Sequence, residues 1–264
     1  MSKNRGLALI TGASGGIGEA FAEVLAAEGF ELTIVARNEA ELSRVKGVLS
    51  GKYSVPVNVF PADLSERGAC DRLAEALAGR DLVPDIVINN AGFGLIGKAA
   101  SLSRATQLNM IDLNVRALAD LTLRFLPGMI ARASGGVINI ASVASFMPGP
   151  QMAVYFATKT FVLSFTDAIY EEVRNSGVTV MSLCPGPVET NFQARAGMKR
   201  ARALSRIGTM SALDVARAGW AGFNAGDRMV IPGLFNKFAA YTARGIPRRF
   251  ILPIVRRAVA SAKA

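Results

Sequence analysis

Short β-branched runs alternate with helix-length amphipathic segments along most of this chain. "LALIT" (7–11), "ELTIVA" (31–36), "VPVNVF" (55–60), "DIVIN" (85–89), "GVINIA" (136–141) and "VTVMSL" (178–183) are near-continuously apolar, and "MVIP" (229–232) is a shorter seventh run. Strands of this composition suit a parallel sheet covered on both faces, because an open face would bring alternation with polar residues. Helical patterning falls between them, near 17–29, 39–50, 66–79, 103–132 and 151–176. Repeated β-α-β order with right-handed crossovers predicts a doubly wound α/β fold, a mostly parallel seven-stranded sheet flanked by helices. No repeat, low-complexity tract or linker breaks residues 1–233, which read as one domain. Residues 234–264 read as a basic amphipathic C-terminal extension.

Ligands of such sheets bind at the carboxyl ends of the strands, beside the switch in strand order. The turn after the first run is "TGASGGIG", with Gly12, Gly16 and Gly18 ahead of a helix. Glycine lets the backbone approach a pyrophosphate, and the helix that follows offers free N–H groups and its positive dipole end. Gly12, Ser14, Gly16, Ile17 and Gly18 are therefore cofactor-binding candidates. A second cluster is "YFATK" (155–159). The chain contains no histidine, so the usual neutral-pH proton carrier is missing. Tyr155 and Lys159, four apart on a helix, share a face. A neighbouring ammonium favours phenolate, which predicts a lowered tyrosine pKa and a general acid/base.

Composition narrows the setting. An apolar fraction of 51% and a mean hydropathy of +0.32 suit a chain with a large buried core. The longest charge-free run, 133–158, would span a bilayer by length, but Ser134, Asn139, Gln151 and the breakers Pro148-Gly149-Pro150 exclude a transmembrane helix. The N-terminus lacks the apolar stretch of a signal peptide. Cys70 and Cys184 lie far apart with no CxxC partner, which points to reduced thiols and to no metal cluster. The expected location is cytoplasmic.

The motifs TGxxxGxG at 11–18, "NNAG" at 89–92, a serine thirteen residues before YxxxK and "PGPVET" at 185–190, in this order, resemble the short-chain dehydrogenase/reductase family, whose fold is the NAD(P)-binding Rossmann fold. The resemblance implies an oxidoreductase that interconverts a carbonyl and an alcohol, working on a small-molecule substrate as a homo-oligomer, dimer or tetramer. It implies that Ser142 hydrogen-bonds the substrate oxygen beside Tyr155, and that Asn114 holds a water against Lys159. Lys159 would also bond the nicotinamide ribose. Asp63 and Leu64 match the family's adenine-binding pair, and Asn90-Ala91-Gly92 would close against the adenosine ribose. The Val188 backbone and the Thr190 hydroxyl would hold the nicotinamide carboxamide and phosphate. At the end of the second strand an acid would read the ribose 2′-hydroxyl. This chain has Ala36-Arg37-Asn38 there, and Arg37 with Ser14 favours NADP(H) over NAD(H). Glu39 and Glu41 come later and belong to the first turn of the next helix. A nucleotide-sensing or membrane-recruited binding protein on the same fold is the alternative reading.

Charge is unevenly placed. Residues 1–189 hold 16 Lys/Arg against 18 Asp/Glu, whereas 190–264 hold 14 against only Asp214 and Asp227. Arg195, Lys199, Arg200, Arg202 and Arg206 fall in a variable substrate lid at 191–211, where they meet an anionic substrate or carrier, or simply water. In 244–264, Ile254, Val255, Ala258, Val259 and Ala262 form one apolar helical stripe with Arg256, Arg257 and Lys263 elsewhere. Such a helix can lie peripherally on an anionic membrane, pack on another subunit, or cover the substrate cleft. No nucleic-acid recognition motif accompanies the charge.

Overall fold

A computed structural model describes residues 5–188, 190, 192, 196, 197 and 209–263. Seven strands, β1 (Leu7–Thr11), β2 (Glu31–Ala36), β3 (Val57–Pro61), β4 (Ile86–Asn89), β5 (Gly136–Ile140), β6 (Thr179–Leu183) and β7 (Met229–Val230), form one parallel sheet in the order β3-β2-β1-β4-β5-β6-β7. The order reverses between β1 and β4, so the crevice of a doubly wound sheet opens there, at the strands' carboxyl ends.

Alternate residues of each strand enter opposite layers, which explains the unbroken apolar runs. Ala8, Ile10, Leu32, Ile34, Ile86, Ile88, Ile138, Met181 and Leu183 face one core, with Phe21, Leu25, Leu42, Trp220 and Phe223 of the covering helices. Leu9, Val35, Val87, Val137 and Val180 face the other, with Leu73, Leu77, Leu121, Met129 and Ile169. The helices are α1 (Gly16–Ala27), α2 (Glu39–Tyr53), α3 (Ala69–Ala78), α4 (Arg104–Ile111), α5 (Leu118–Ala131), α6 (Ala153–Glu172), α7 (Ala212–Asn224), α8 (Leu234–Gly245) and α9 (Arg248–Lys263). The sequence reading assigned no helix at α7. Residues 112–117 join α4 to α5 as a π-helical segment, so the long helix expected at 103–132 is one rod with a widened turn at Asn114. Such turns recur at functional sites because they displace the regular hydrogen-bond ladder.

The C-terminal residues fold as two helices. Ile246, with φ −80° and ψ 126°, is extended ahead of Pro247, which breaks the chain between α8 and α9. The single apolar stripe expected at 254–262 does not hold together. Ile251 and Val255 are buried with Ala243, against Met147 and Phe156, with Val259 at the edge of the cluster. Ile254 and Ala258 face solvent. Hydrophobic burial against the body selects the 251/255/259 register, which the helical pattern alone did not distinguish. Among the described residues, no helix is long and apolar enough to cross a membrane. Of the basic lid residues, Arg195, Lys199, Arg200, Arg202 and Arg206 lie outside the described residues.

Candidate active site

The turn between β1 and α1 is held by a lock across the switch point. Thr11 Oγ1 accepts from the N–H groups of Asn90 and Ala91, each at 3.0 Å, and Asn90 Nδ2 donates to the carbonyls of Thr11 and Gly12 at 3.0 and 3.1 Å. The Asn90 amide is thus occupied in shaping the glycine turn. Gly12 has φ +67°, a conformation that disfavours side chains, and a Cβ on Gly18 would lie 2.4 Å from the Gly12 carbonyl oxygen. Gly15 caps α1 and has no side chain to bond the helix's first N–H groups. Ser14 and Ile17 sit half-buried on this rim, Ile17 packed against the core. Thr190 closes the opposite side, its methyl 3.0 Å from where a Gly16 Cβ would stand. Backbone that approaches this closely beside an open helix N-terminus fits a pyrophosphate.

Arg37 follows β2 and is largely exposed, with its guanidinium 3.5 Å from Asp63 Oδ2. Asp63 Oδ1 accepts from the Ser65 N–H at 3.0 Å and the Ser65 hydroxyl at 2.5 Å. Burial acts to raise the Asp63 carboxyl, but the Ser65 bonds and the Arg37 charge outweigh it and hold the group below its usual range. Leu64 is buried in the core wall. Asn38 caps α2 by accepting from the Glu41 N–H, and Glu39 and Glu41 lie in the first turn, as the sequence predicts.

Across the crevice, α6 carries Tyr155 and Lys159. Lys159 is 6% exposed and its ammonium donates to the Ile140 carbonyl at 2.7 Å, at the end of β5. Burial pushes its pKa down to about 8, slightly countered by Cys184. Tyr155 departs from expectation. Burial pushes its phenol up to about 12, and the force pulling it down is a hydrogen bond with Ser142 rather than the Lys159 charge. Ser142 ends β5's loop with an extended backbone, and its Oγ accepts from the Ala144 N–H at 3.1 Å while lying 3.5 Å from the Pro185 carbonyl. Asn114, fully buried, bonds Phe93 at both ends of its amide, through Oδ1 at 3.0 Å and Nδ2 at 2.9 Å, and donates to Thr158 Oγ1 at 3.2 Å. Both N–H groups of its amide are thereby occupied. Gly92 lies between the two, since a Cβ there would be 3.0 Å from Asn114 Oδ1 and 3.7 Å from Lys159 Nζ. Val188 is buried in the core shared by Ile10 and Leu183 and bridges to Met210.

Sequence reasoning missed several supporting groups. Phe192 lies with its ring centroid 5.5 Å from that of Tyr155. Gly94 backs onto both rings and onto Met152, so the wall beside the phenol is apolar. Beneath the site, Asn89 Nδ2 donates to Asn139 Oδ1 at 2.9 Å and to Thr122 Oγ1 at 3.0 Å, and Asn139 Nδ2 donates to Thr166 Oγ1 at 3.0 Å. This buried amide network ties β4 to β5 and to α5 and α6. An asparagine inside each apolar strand was the visible signal.

Comparison with known proteins agrees with this arrangement. The short chain dehydrogenase family matches residues 6–201. An uncharacterized oxidoreductase of Staphylococcus epidermidis is 35% identical over 184 residues, which cover 70% of this chain and 78% of that one. A human very-long-chain 3-oxoacyl-CoA reductase is 32% identical over 189 residues, 70% of this chain but 60% of the longer human protein. Among solved structures, a short-chain dehydrogenase from Sphingobium yanoikuyae in complex with NADPH superposes with a TM-score of 0.82 at 30% identity, covering 90% of this chain and 92% of that one. A 3-ketoacyl-(acyl-carrier-protein) reductase from Brucella melitensis complexed with NADH gives 0.76 at 28% identity, covering 86% and 96%. The chain belongs to the short-chain dehydrogenase family, nicotinamide-dependent oxidoreductases of the Rossmann fold that interconvert carbonyl and alcohol.

Proposed function

We propose that this protein is an NADP(H)-dependent reductase of a hydrophobic ketone, aldehyde or keto-acyl group, with Tyr155 as the proton donor. The observation that carries the reading is the placement of Tyr155 in a half-buried apolar cleft, its ring against Phe192 and Gly94, four residues along α6 from the buried Lys159. A tyrosine with a pKa near 12 rests as the acid at neutral pH, the form that reduction requires. The bound nicotinamide supplies the hydride. Tyr155 passes its proton to the carbonyl oxygen as that oxygen gains negative charge, and Ser142 orients the oxygen by a second hydrogen bond. Lys159 serves the cofactor ribose and relays a proton back to the phenol, a role that a pKa near 8 suits at neutral pH. Asn114 acts as a positioning residue, fixing Phe93 and Thr158 around that lysine.

NADP(H) is favoured because the charge at the end of β2 is cationic: Arg37 can turn from Asp63 to a 2′-phosphate. The NADPH-bound relative supports this, and the acyl-reductase relatives support a chain-like hydrophobic substrate. Leu108, Ile111, Leu123 and Phe161, exposed on α4, α5 and α6, support assembly into a homo-oligomer. The test is NADPH oxidation against long-chain aldehydes, ketosteroids and 3-ketoacyl thioesters, by wild type and by Tyr155→Phe. The variant is expected to bind NADPH as wild type does and to lose at least about a hundredfold in kcat. Turnover that survives in Tyr155→Phe refutes the mechanism.

A further inference from the structure

The C-terminal helices bury one side and present a second apolar side outward. On α8, Asn236, Ala240 and Ala243 face the body. At a hundred degrees per residue, Leu234, Phe238 and Tyr241 fall on the opposite side, and Leu234 and Phe238 are 88% and 70% exposed. On α9, Ile251 and Val255 face the body, while Phe250 and Ile254, one turn apart, are more than half exposed. A solvent-facing helix side is ordinarily polar, so large aromatic and aliphatic residues there need an apolar environment to cover them.

The surrounding charge identifies what covers them. Lys237, Arg244, Arg248, Arg249, Arg256 and Arg257 are all exposed on these two helices, and no Asp or Glu occurs after Asp227. Among the described residues none of the six forms an ion pair. Arg244 and Arg249 instead lie over the rings of Phe146 and Phe250, at 5.5 and 4.7 Å, which keeps them beside the apolar side chains. A like-charged second copy would bring these cations against each other, whereas a bilayer with anionic headgroups offers both a negative surface and an apolar interior.

We propose that the outward faces of α8 and α9 dock on an anionic lipid bilayer, Leu234, Phe238, Tyr241, Phe250 and Ile254 entering the interface and the arginines meeting headgroup phosphates. This goes beyond the reaction assigned above and does not depend on it. The surface also lies next to the cleft, because Ile251 and Val255 of α9 pack on Met147 and Phe156, and Phe156 follows Tyr155 in α6.

Full-length protein is co-sedimented with vesicles of phosphatidylcholine alone and with vesicles containing phosphatidylglycerol, at low and high salt. Binding to the anionic vesicles at low salt and release at high salt are expected. Phe238→Asp is expected to weaken that binding about tenfold or more, from the lost apolar insertion and the added negative charge. Arg256→Ala with Arg257→Ala is expected to weaken it about 25-fold, at about fivefold per arginine. NADPH binding, measured for each variant, reports that the fold is kept, and the arginine pair, fully on the surface, provides a reading even if Phe238→Asp does not fold. Protein that stays in the supernatant with anionic vesicles overturns the proposal. So does binding that neither salt nor the arginine pair weakens. A fall in molar mass on Phe238→Asp without vesicle binding by wild type overturns it in favour of a second copy as the occupant.

Discussion

Lys159→Met makes the protein more stable near neutral pH, by an amount that shrinks as pH rises. Lys159 is buried, and removal from water lowers its pKa from the ordinary 10.5 to about 8. The sign follows from proton binding. Between the folded and unfolded pKa values the unfolded chain binds the proton that the folded one has lost, so stability rises with pH across that window. Below it both states are charged, and the folded state carries the whole penalty of the buried ammonium, about 3 kcal/mol at pH 7. The penalty falls to about 2 kcal/mol at pH 9 and about 1 kcal/mol at pH 10. Methionine keeps the volume but not the charge, and its loss of the bond to Ile140 is independent of pH. Tyr155 and Cys70, raised by burial, act in the opposite direction at high pH but are common to both proteins and cancel in the difference. Cys184 is held down by the Lys159 charge, so the variant's thiol is raised further and narrows the gap at high pH in the same direction. Urea unfolding of nucleotide-free wild type and variant at pH 7, 9 and 10 reads it directly, as the gap in ΔG at fixed m-value. A gap that stays constant or widens with pH refutes the burial argument.

Arg37→Asp is expected to weaken NADPH at least about tenfold while leaving NADH within about twofold, the scale of losing a charge-assisted phosphate contact; equal losses in calorimetric titrations mean that Arg37 does not read the 2′-phosphate. Gly18→Ala, whose Cβ would stand 2.4 Å from a backbone carbonyl that no rotamer can relieve, is expected to cost about 1–3 kcal/mol and to weaken both cofactors alike. Unchanged affinity for both would show that the turn relaxes freely. Ile251→Ala loosens α9 from Met147 and Phe156, so trypsin is expected to cut after Arg256 or Arg257 several times faster than in wild type, through local opening; an unchanged cleavage rate argues against that docking.

The features legible in the chain alone are local ones. Strand positions, including β1, β2 and the centre of β5, follow from runs that must be apolar on both faces, and the resulting core repeats that alternation residue by residue. The glycine turn was legible because close backbone approach excludes side chains at Gly12 and Gly18 whatever lies around them. The pairing of Tyr155 with Lys159 follows from helical spacing alone. Whatever depends on a partner distant in the chain emerged only on folding. Asn90 turns its amide to Thr11 and Gly12, 79 and 78 residues away, and Asn114 turns its own to Phe93 and Thr158. The direction of the Tyr155 shift reversed because desolvation depends on packing, which helix spacing does not carry, and it exceeds the field expected from one nearby cation. The C-terminal stripe divided for the same reason. Several registers of one amphipathic helix are apolar enough to bury, and only the surface formed by Met147 and Phe156 selected Ile251 and Val255, leaving Ile254 outside.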